Sequence, residues 1–345
     1  MNYFTSLLTA SLMATAFVAC DDDHNAAPDS GNAISFNASA PLRELTTTNT
    51  LRDFKVWGFA DSKPYMSDVT VNKIDGAWTY SPVQYWPADA ELNFYSYSPA
   101  ITTSTASDDT NPDIPGFVNG GSTDLLYAVN IGETRSGSAV SPVQINFRHA
   151  LSQVRFRVRP RVATQGQQEL SVKAVRLDLL GTNSVGSFNF PTSTTSIGNN
   201  VSGTWSDQNK PVEANIFTGS QMLDSNTPVE LLSSGYIFSI PQTLQESQTD
   251  GAGYSGAYAR LLCEIFDRST GVKLWPSSAD AEVDGAGYIY FPLNDRATNG
   301  GHSQWELGKA YRYTLNVDMP TNSNKIDFDV TVEEFSDFAG IEATN

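Results

Sequence analysis

Apolar and polar residues alternate one for one through short segments of this chain, and Gly, Pro, Asp or Ser closes most of them. Ile34–Ala40 puts Ile34, Phe36, Ala38 and Ala40 on one side and Ser35, Asn37 and Ser39 on the other. Leu151–Arg159 sets Val154, Phe156 and Val158 against Arg155, Arg157 and Arg159. Ile326–Glu334 sets Ile326, Phe328, Val330 and Val332 against Asp327, Asp329, Thr331 and Glu333. A period of two is the signature of a half-buried strand, and it does not fit the 3.6-residue repeat of a helix. Gly, Ser, Thr, Asn and aromatics are common, and long runs of Ala, Glu, Lys and Leu are missing. The chain is therefore expected to be all-β. Further strands are expected at 54–59, 124–129, 143–147, 170–180, 185–190, 212–218, 235–240, 257–266, 287–293 and 310–318. Loops are expected over Pro41–Thr50 and 101–123, and a single helical turn over Asp89–Glu91.

The leader narrows the compartment. An apolar run, Phe4–Ala19, ends at Cys20, and Asp21, Asp22 and Asp23 follow. The run is too short to span a bilayer as a lasting helix, and small residues precede the cysteine. Residues 1–19 read as a lipoprotein signal, with Cys20 as the lipid-attachment residue and residues 20–33 as a polar tether. The n-region carries no Lys or Arg, and Phe17 stands where a lipobox usually has Leu, so an ordinary secretory signal is the alternative. An outer-membrane lipoprotein at the cell surface is the expectation, with the acidic triplet resembling a surface-export signal.

Formal net charge is −17, from 38 acidic and 21 basic residues, which disfavours nucleic acid and anionic membrane as partners. With Cys20 acylated, Cys263 has no disulfide partner and reads as a small buried apolar residue. Motifs for chemistry fail on inspection. Gly251–Gly256 matches G-x-G-x-x-G, but a polar stretch precedes it and a strand follows, so a loop is the reading. Asp280–Gly285 resembles the front of a calcium loop, but position twelve is Phe291, and a hairpin turn at Asp284–Gly285 fits better. His24, His149 and His302 have no metal-ligand spacing. No enzyme activity, cofactor or metal is expected. The Trp and Tyr residues are expected mainly in the core, with a sugar-stacking platform as the rival use.

Several blocks carry a resemblance. Val56–Phe59, Gly76–Tyr80, Tyr85–Pro87, Phe94–Pro99, Asp124–Ala128 and Phe147–Val154 together resemble the fimbrillin (Mfa-like, FimA-like) family of Bacteroidales, most closely over residues 34–160. The resemblance implies two tandem transthyretin-like β-sandwiches, here divided as 34–142 and 143–345. It implies a pilus (fimbria) subunit or pilus-associated adhesin of the type V kind, found at the cell surface or in the fimbrium. It also implies assembly by donor-strand exchange. An arginine-specific protease cuts after an arginine, here Arg43 or alternatively Arg52. The first strand, Ile34, Phe36, Ala38 and Ala40, then leaves, and a neighbour's strand replaces it. Ile326, Phe328, Val330 and Val332 form the candidate donor strand, or else the last core strand of the second sandwich. Implied partners are other pilin subunits, in a homo- or hetero-polymer, and host or bacterial surface ligands. The alternative function is a monomeric surface glycan-binding lipoprotein.

Overall fold

The computed structural model describes residues 32–40, 51–101, 112–135, 141–196, 200–232, 237–246, 248–250, 253–278, 281–294, 303–320 and 328–334. Their strands, in chain order, are β1 (Phe36–Ser39), β2 (Asp53–Ala60), β3 (Lys63–Ile74), β4 (Ala77–Thr79), β5 (Leu92–Ser98), β6 (Asp113–Val118), β7 (Leu126–Glu133) and β8 (Val143–Asn146). Then follow β9 (Arg148–His149), β10 (Ser152–Pro160), β11 (Leu170–Asn189), β12 (Thr204–Leu223), β13 (Val229–Glu230), β14 (Ile237–Ser239), β15 (Gln242–Thr243) and β16 (Gln248–Asp250). The last are β17 (Gly253–Ser255), β18 (Tyr258–Asp267), β19 (Lys273–Trp275), β20 (Gly287–Pro292), β21 (Gln304–Trp305), β22 (Lys309–Val317) and β23 (Phe328–Glu334). The described residues contain no helix, and Asp89–Glu91 lies in bends and irregular chain instead of the expected turn of helix.

A six-stranded sheet, in the order β4-β3-β2-β5-β7-β9, is the centre of the amino-terminal half. Both of its faces are covered. Phe54, Val56, Leu92, Phe94, Leu126 and Ala128 point to one core, which β1 and β8 close with Ile34, Phe36, Ala38, Val143 and Ile145. Trp57, Phe59, Tyr95, Tyr97, Tyr127 and Val129 point to a second core, shared with Ile114, Phe188, Phe190, Phe238 and Ile240. Burial on both faces explains why β2, β5 and β7 read as nearly unbroken apolar runs. It also uses the aromatics as core filling: Trp57, Trp86 and Trp305 are buried.

The carboxy-terminal half is a second pair of sheets. One runs β12-β11-β18-β19, with β20 also on β18 and β6 on β11; the other runs β13-β10-β22-β23, with β14 also on β10. Val154, Phe156, Val158, Val172, Leu177, Leu261, Ile265, Tyr313 and Leu315 fill the space between them. Arg155, Arg157 and Arg159 take the other side of β10, as the alternation requires, and Arg157 Nε donates to Glu230 Oε1 at 3.0 Å. Cys263 is fully buried in this core, and burial pushes its thiol up. The Asp284–Gly285 turn has φ of 47° and 81°, both positive as a two-residue hairpin turn of type I′ requires.

Other expectations change as well. The loop expected at 101–123 contains β6, which pairs with β11 through Val185↔Val118 and Phe188↔Ile114. Gly251–Gly256 lies partly in a strand: β17 pairs back on β16 as a hairpin, while Gly251 and Ala252 are outside the described residues. The division expected at residue 142 is not where strand pairing changes hands. β8 pairs with β1, and β9 pairs with β7 through Leu126↔His149, so the first module's strands run to His149. The physical reason is closure: without β8, the core under β1 has no wall on that side.

Candidate functional site

The first strand occupies a groove with two different walls. On one side β1 pairs in parallel with β8, in the register Phe36↔Val143, Asn37↔Gln144, Ala38↔Ile145 and Ser39↔Asn146. Val143 N donates to Ser35 O at 2.8 Å, and Phe147 N donates to Ser39 O at 3.0 Å. On the other side, residues 80–86 lie across the strand's leading end. Ile34 N donates to Gln84 O at 2.8 Å, Trp86 N donates to Asn32 O at 2.9 Å, and Ala33 bridges Tyr85. The Tyr80 hydroxyl donates to Ile34 O at 2.8 Å. Burial is the main cause that pushes the Tyr80 phenol up, so the hydroxyl keeps its proton and remains a donor at neutral pH. The Tyr65 hydroxyl fixes this strap from outside by donating to Tyr85 O.

The floor is aromatic. Phe36 meets Phe54 at 5.9 Å and Phe94 at 5.6 Å, both edge-on, and Tyr80 at 5.6 Å. Ile34, Phe36, Ala38 and Ala40 are all buried, at 2%, 5%, 3% and 9% exposure. The polar face of the strand is read by side chains. Asn37 Nδ2 donates to Gln144 Oε1 at 2.9 Å, and Ser39 Oγ donates to Asn146 Oδ1 at 3.1 Å. Gln144 Nε2 is itself bound to Pro142 O at 3.0 Å, which fixes the amide with its oxygen toward Asn37.

Removal of the Tyr80 hydroxyl should loosen the leading end alone. Tyr80→Phe is expected to raise amide exchange around Ile34 by about tenfold, since one intramolecular hydrogen bond contributes roughly 0.5–1.5 kcal/mol. Exchange of β11 amides should not change; hydrogen–deuterium exchange read by mass spectrometry checks both.

The structure brings four of the expected residues together, in the seat of the first strand. Cys20 and Arg43 lie outside the described residues. The alternative processing residue, Arg52, is exposed but held: its carbonyl accepts from Lys73 N at 2.8 Å, Leu51 beside it is buried, and β2 begins at Asp53. A protease needs an extended backbone free of such bonds. Phe328, Val330 and Val332 lie in β23, which pairs antiparallel with β22 at the edge of its sheet; Ile326 is outside the described residues. His149, read as structural, has Nδ1 2.7 Å from Asp124 Oδ2 with both side chains buried. Tyr80, Gln84, Gln144 and Asn146 were not singled out from sequence. Two blocks carried a signal: Gly76–Tyr80 as an aromatic run, and Val143–Phe147, where Gln144 and Asn146 alternate with buried Val143 and Ile145.

The fimbrillin-like family matches residues 44–334. No functionally curated protein matches the chain in sequence. Among solved structures, a fimbrial protein from Bacteroides vulgatus ATCC 8482 is similar at 16% identity, with a TM-score of 0.60 over 88% of this chain and 100% of that one. The fimbrilin (fimA) of Porphyromonas gingivalis W83 aligns at 13% identity and a TM-score of 0.48, covering 90% of this chain and 99% of that one. The tip fimbrial protein Mfa3 of Porphyromonas gingivalis, truncated at its C-terminus, aligns at 9% identity and a TM-score of 0.38, covering 82% and 94%. The first of these carries the likeness of fold, and the family match spans both pairs of sheets: the chain belongs to the fimbrillin-like family.

Proposed function

We propose that this chain is a pilus subunit or pilus-associated adhesin, exported as a lipoprotein acylated at Cys20 and assembled by protease-triggered exchange of its first strand. The observation that carries the reading is the seat of β1. A short strand buries four apolar side chains, yet it is joined to β2 only through residues 41–50, which contain Arg43. Cleavage after Arg43 leaves β1 held by noncovalent contacts alone. Its departure would bare an apolar groove and the unpaired backbone of β8, a ready template for an added strand.

A donor of the right type exists at the other end of the chain. Ile326–Val332 repeats the order of Ile34–Ala40: Ile, polar, Phe, Asp or Asn, small or branched, Ser or Thr, small or branched. β23 is an edge strand, so it can leave its sheet without opening a second ladder. Other pilin subunits and an arginine-specific protease are the partners, and the outer membrane and fimbrium are the location.

N-terminal sequencing of the protein from cell-surface fibres tests this. A start at Glu44, with high-mass ladders in undenatured samples, is expected. Fibres whose subunits all keep residues 34–40 joined to the rest of the chain would overturn it.

A further inference from the structure

Resting on that reading, we infer that the groove under β1 is closed to the chain's own carboxy-terminal strand and takes a strand from a different subunit. Three positions decide this when Ile326–Val332 is laid in the register of Ile34–Ala40, Ile on Ile and Phe on Phe.

The first is the partner of Gln144. The resident strand presents Asn37 Nδ2, a donor, to Gln144 Oε1. The bond from Gln144 Nε2 to Pro142 O keeps that oxygen facing the strand. The carboxy-terminal segment brings Asp329 to this position, and an ionised carboxylate only accepts. Two acceptors would then face each other on the strand's exposed side, so the bond is lost there without a charge being buried. Glu133, at the end of β7, is tied to the same place, because Asn130 Nδ2 donates both to Gln144 O and to Glu133 Oε1. Asp329 would enter an acidic neighbourhood on a chain of net charge −17.

The other two positions are steric. Ala38 and Ala40 are buried, and the incoming residues are Val330 and Val332. Interiors are packed to crystal-like density, and added methyl groups there force neighbours off their rotamers. Thr331 at the Ser39 position is compatible, because its hydroxyl can donate to Asn146 Oδ1 as Ser39 does. The groove therefore asks for a large aliphatic residue, a Phe, a side-chain donor, and two small residues after it. Rejection of self by an acceptor pair and by overpacking is specificity through disfavoured contacts. The partner is a subunit whose strand has that pattern, and Ile326–Val332 is then the strand that this chain gives to a different groove.

The test uses the complete chain with a specific protease site placed within residues 41–50. After cutting, labelled peptides compete with the resident strand, and displacement is read by mass spectrometry. The peptides are residues 32–40, residues 324–334, and residues 324–334 carrying Asp329→Asn, Val330→Ala and Val332→Ala. The altered peptide is expected to enter at a concentration at least tenfold below that of the native carboxy-terminal peptide. Asp327→Asn, which removes the same charge at the Ser35 position, should leave the native peptide's entry within about twofold. Entry of the native 324–334 peptide as readily as the altered one would overturn the selectivity. Failure of every peptide, including 32–40, would instead sink strand exchange itself.

Discussion

Phe36→Ala is expected to destabilise the amino-terminal module by about 3–5 kcal/mol, the usual effect of truncating a buried Phe. The ring is 5% exposed and meets Phe54, Phe94 and Tyr80. Alanine would leave a void among rigid aromatics, two of them on the central sheet, which have little freedom to collapse. The loss falls on the strand's seat more than on the rest of the molecule. The variant chain should unfold at a lower denaturant midpoint, with β1 amides exchanging far faster than those of β10 or β18. If strand exchange assembles the fibre, the same variant should also shed its first strand sooner after cleavage, because the bond network at Gln144 and Tyr80 would be acting without its apolar floor. An unchanged midpoint would mean that β1 contributes little to the module.

The second large effect is expected at the join between the modules. Phe188 is fully buried; its ring lies 4.7 Å from Tyr127 and 5.4 Å from both Phe190 and Trp205. Tyr127 belongs to the central sheet, and Trp205 belongs to β12 of the second module. Phe188→Ala is expected to cost about 3–5 kcal/mol by the same cavity argument. It should also separate one cooperative calorimetric transition into two, because the shared core is what makes the modules unfold together. A single transition shifted as a whole would show that other contacts are sufficient for the coupling.

Much of this fold was legible because burial on one face writes a period of two into the chain. Ile34–Ala40 and Leu151–Arg159 were found that way, and both are strands with the expected inward residues. Misreadings arose where the cause lay elsewhere. Leu170–Asn189 is one strand where two were expected, at 170–180 and 185–190. Gly181 has φ of +72°, and a Cβ there would collide with the Gly256 carbonyl, so this glycine serves a close approach within a bulged strand and not a turn. β6 was hidden by Pro115 and Gly116, residues that an edge strand tolerates because one side of its backbone is unpaired. The candidate site was half legible. The strand itself could be seen, but its partners could not. Pairing of Asn37 with Gln144 spans 107 positions, and local periodicity carries no information about register at that range.

That same separation orders events in time. A chain made from its amino terminus delivers β1 before any of the structure that will hold it. Its cradle is incomplete until Val143–Asn146 has emerged and joined the sheet beside it. Bringing such distant pieces together has an entropic cost, so the segment made earliest waits for its seat. What docks late, on a sheet already built, is also what can be lifted out with little disturbance.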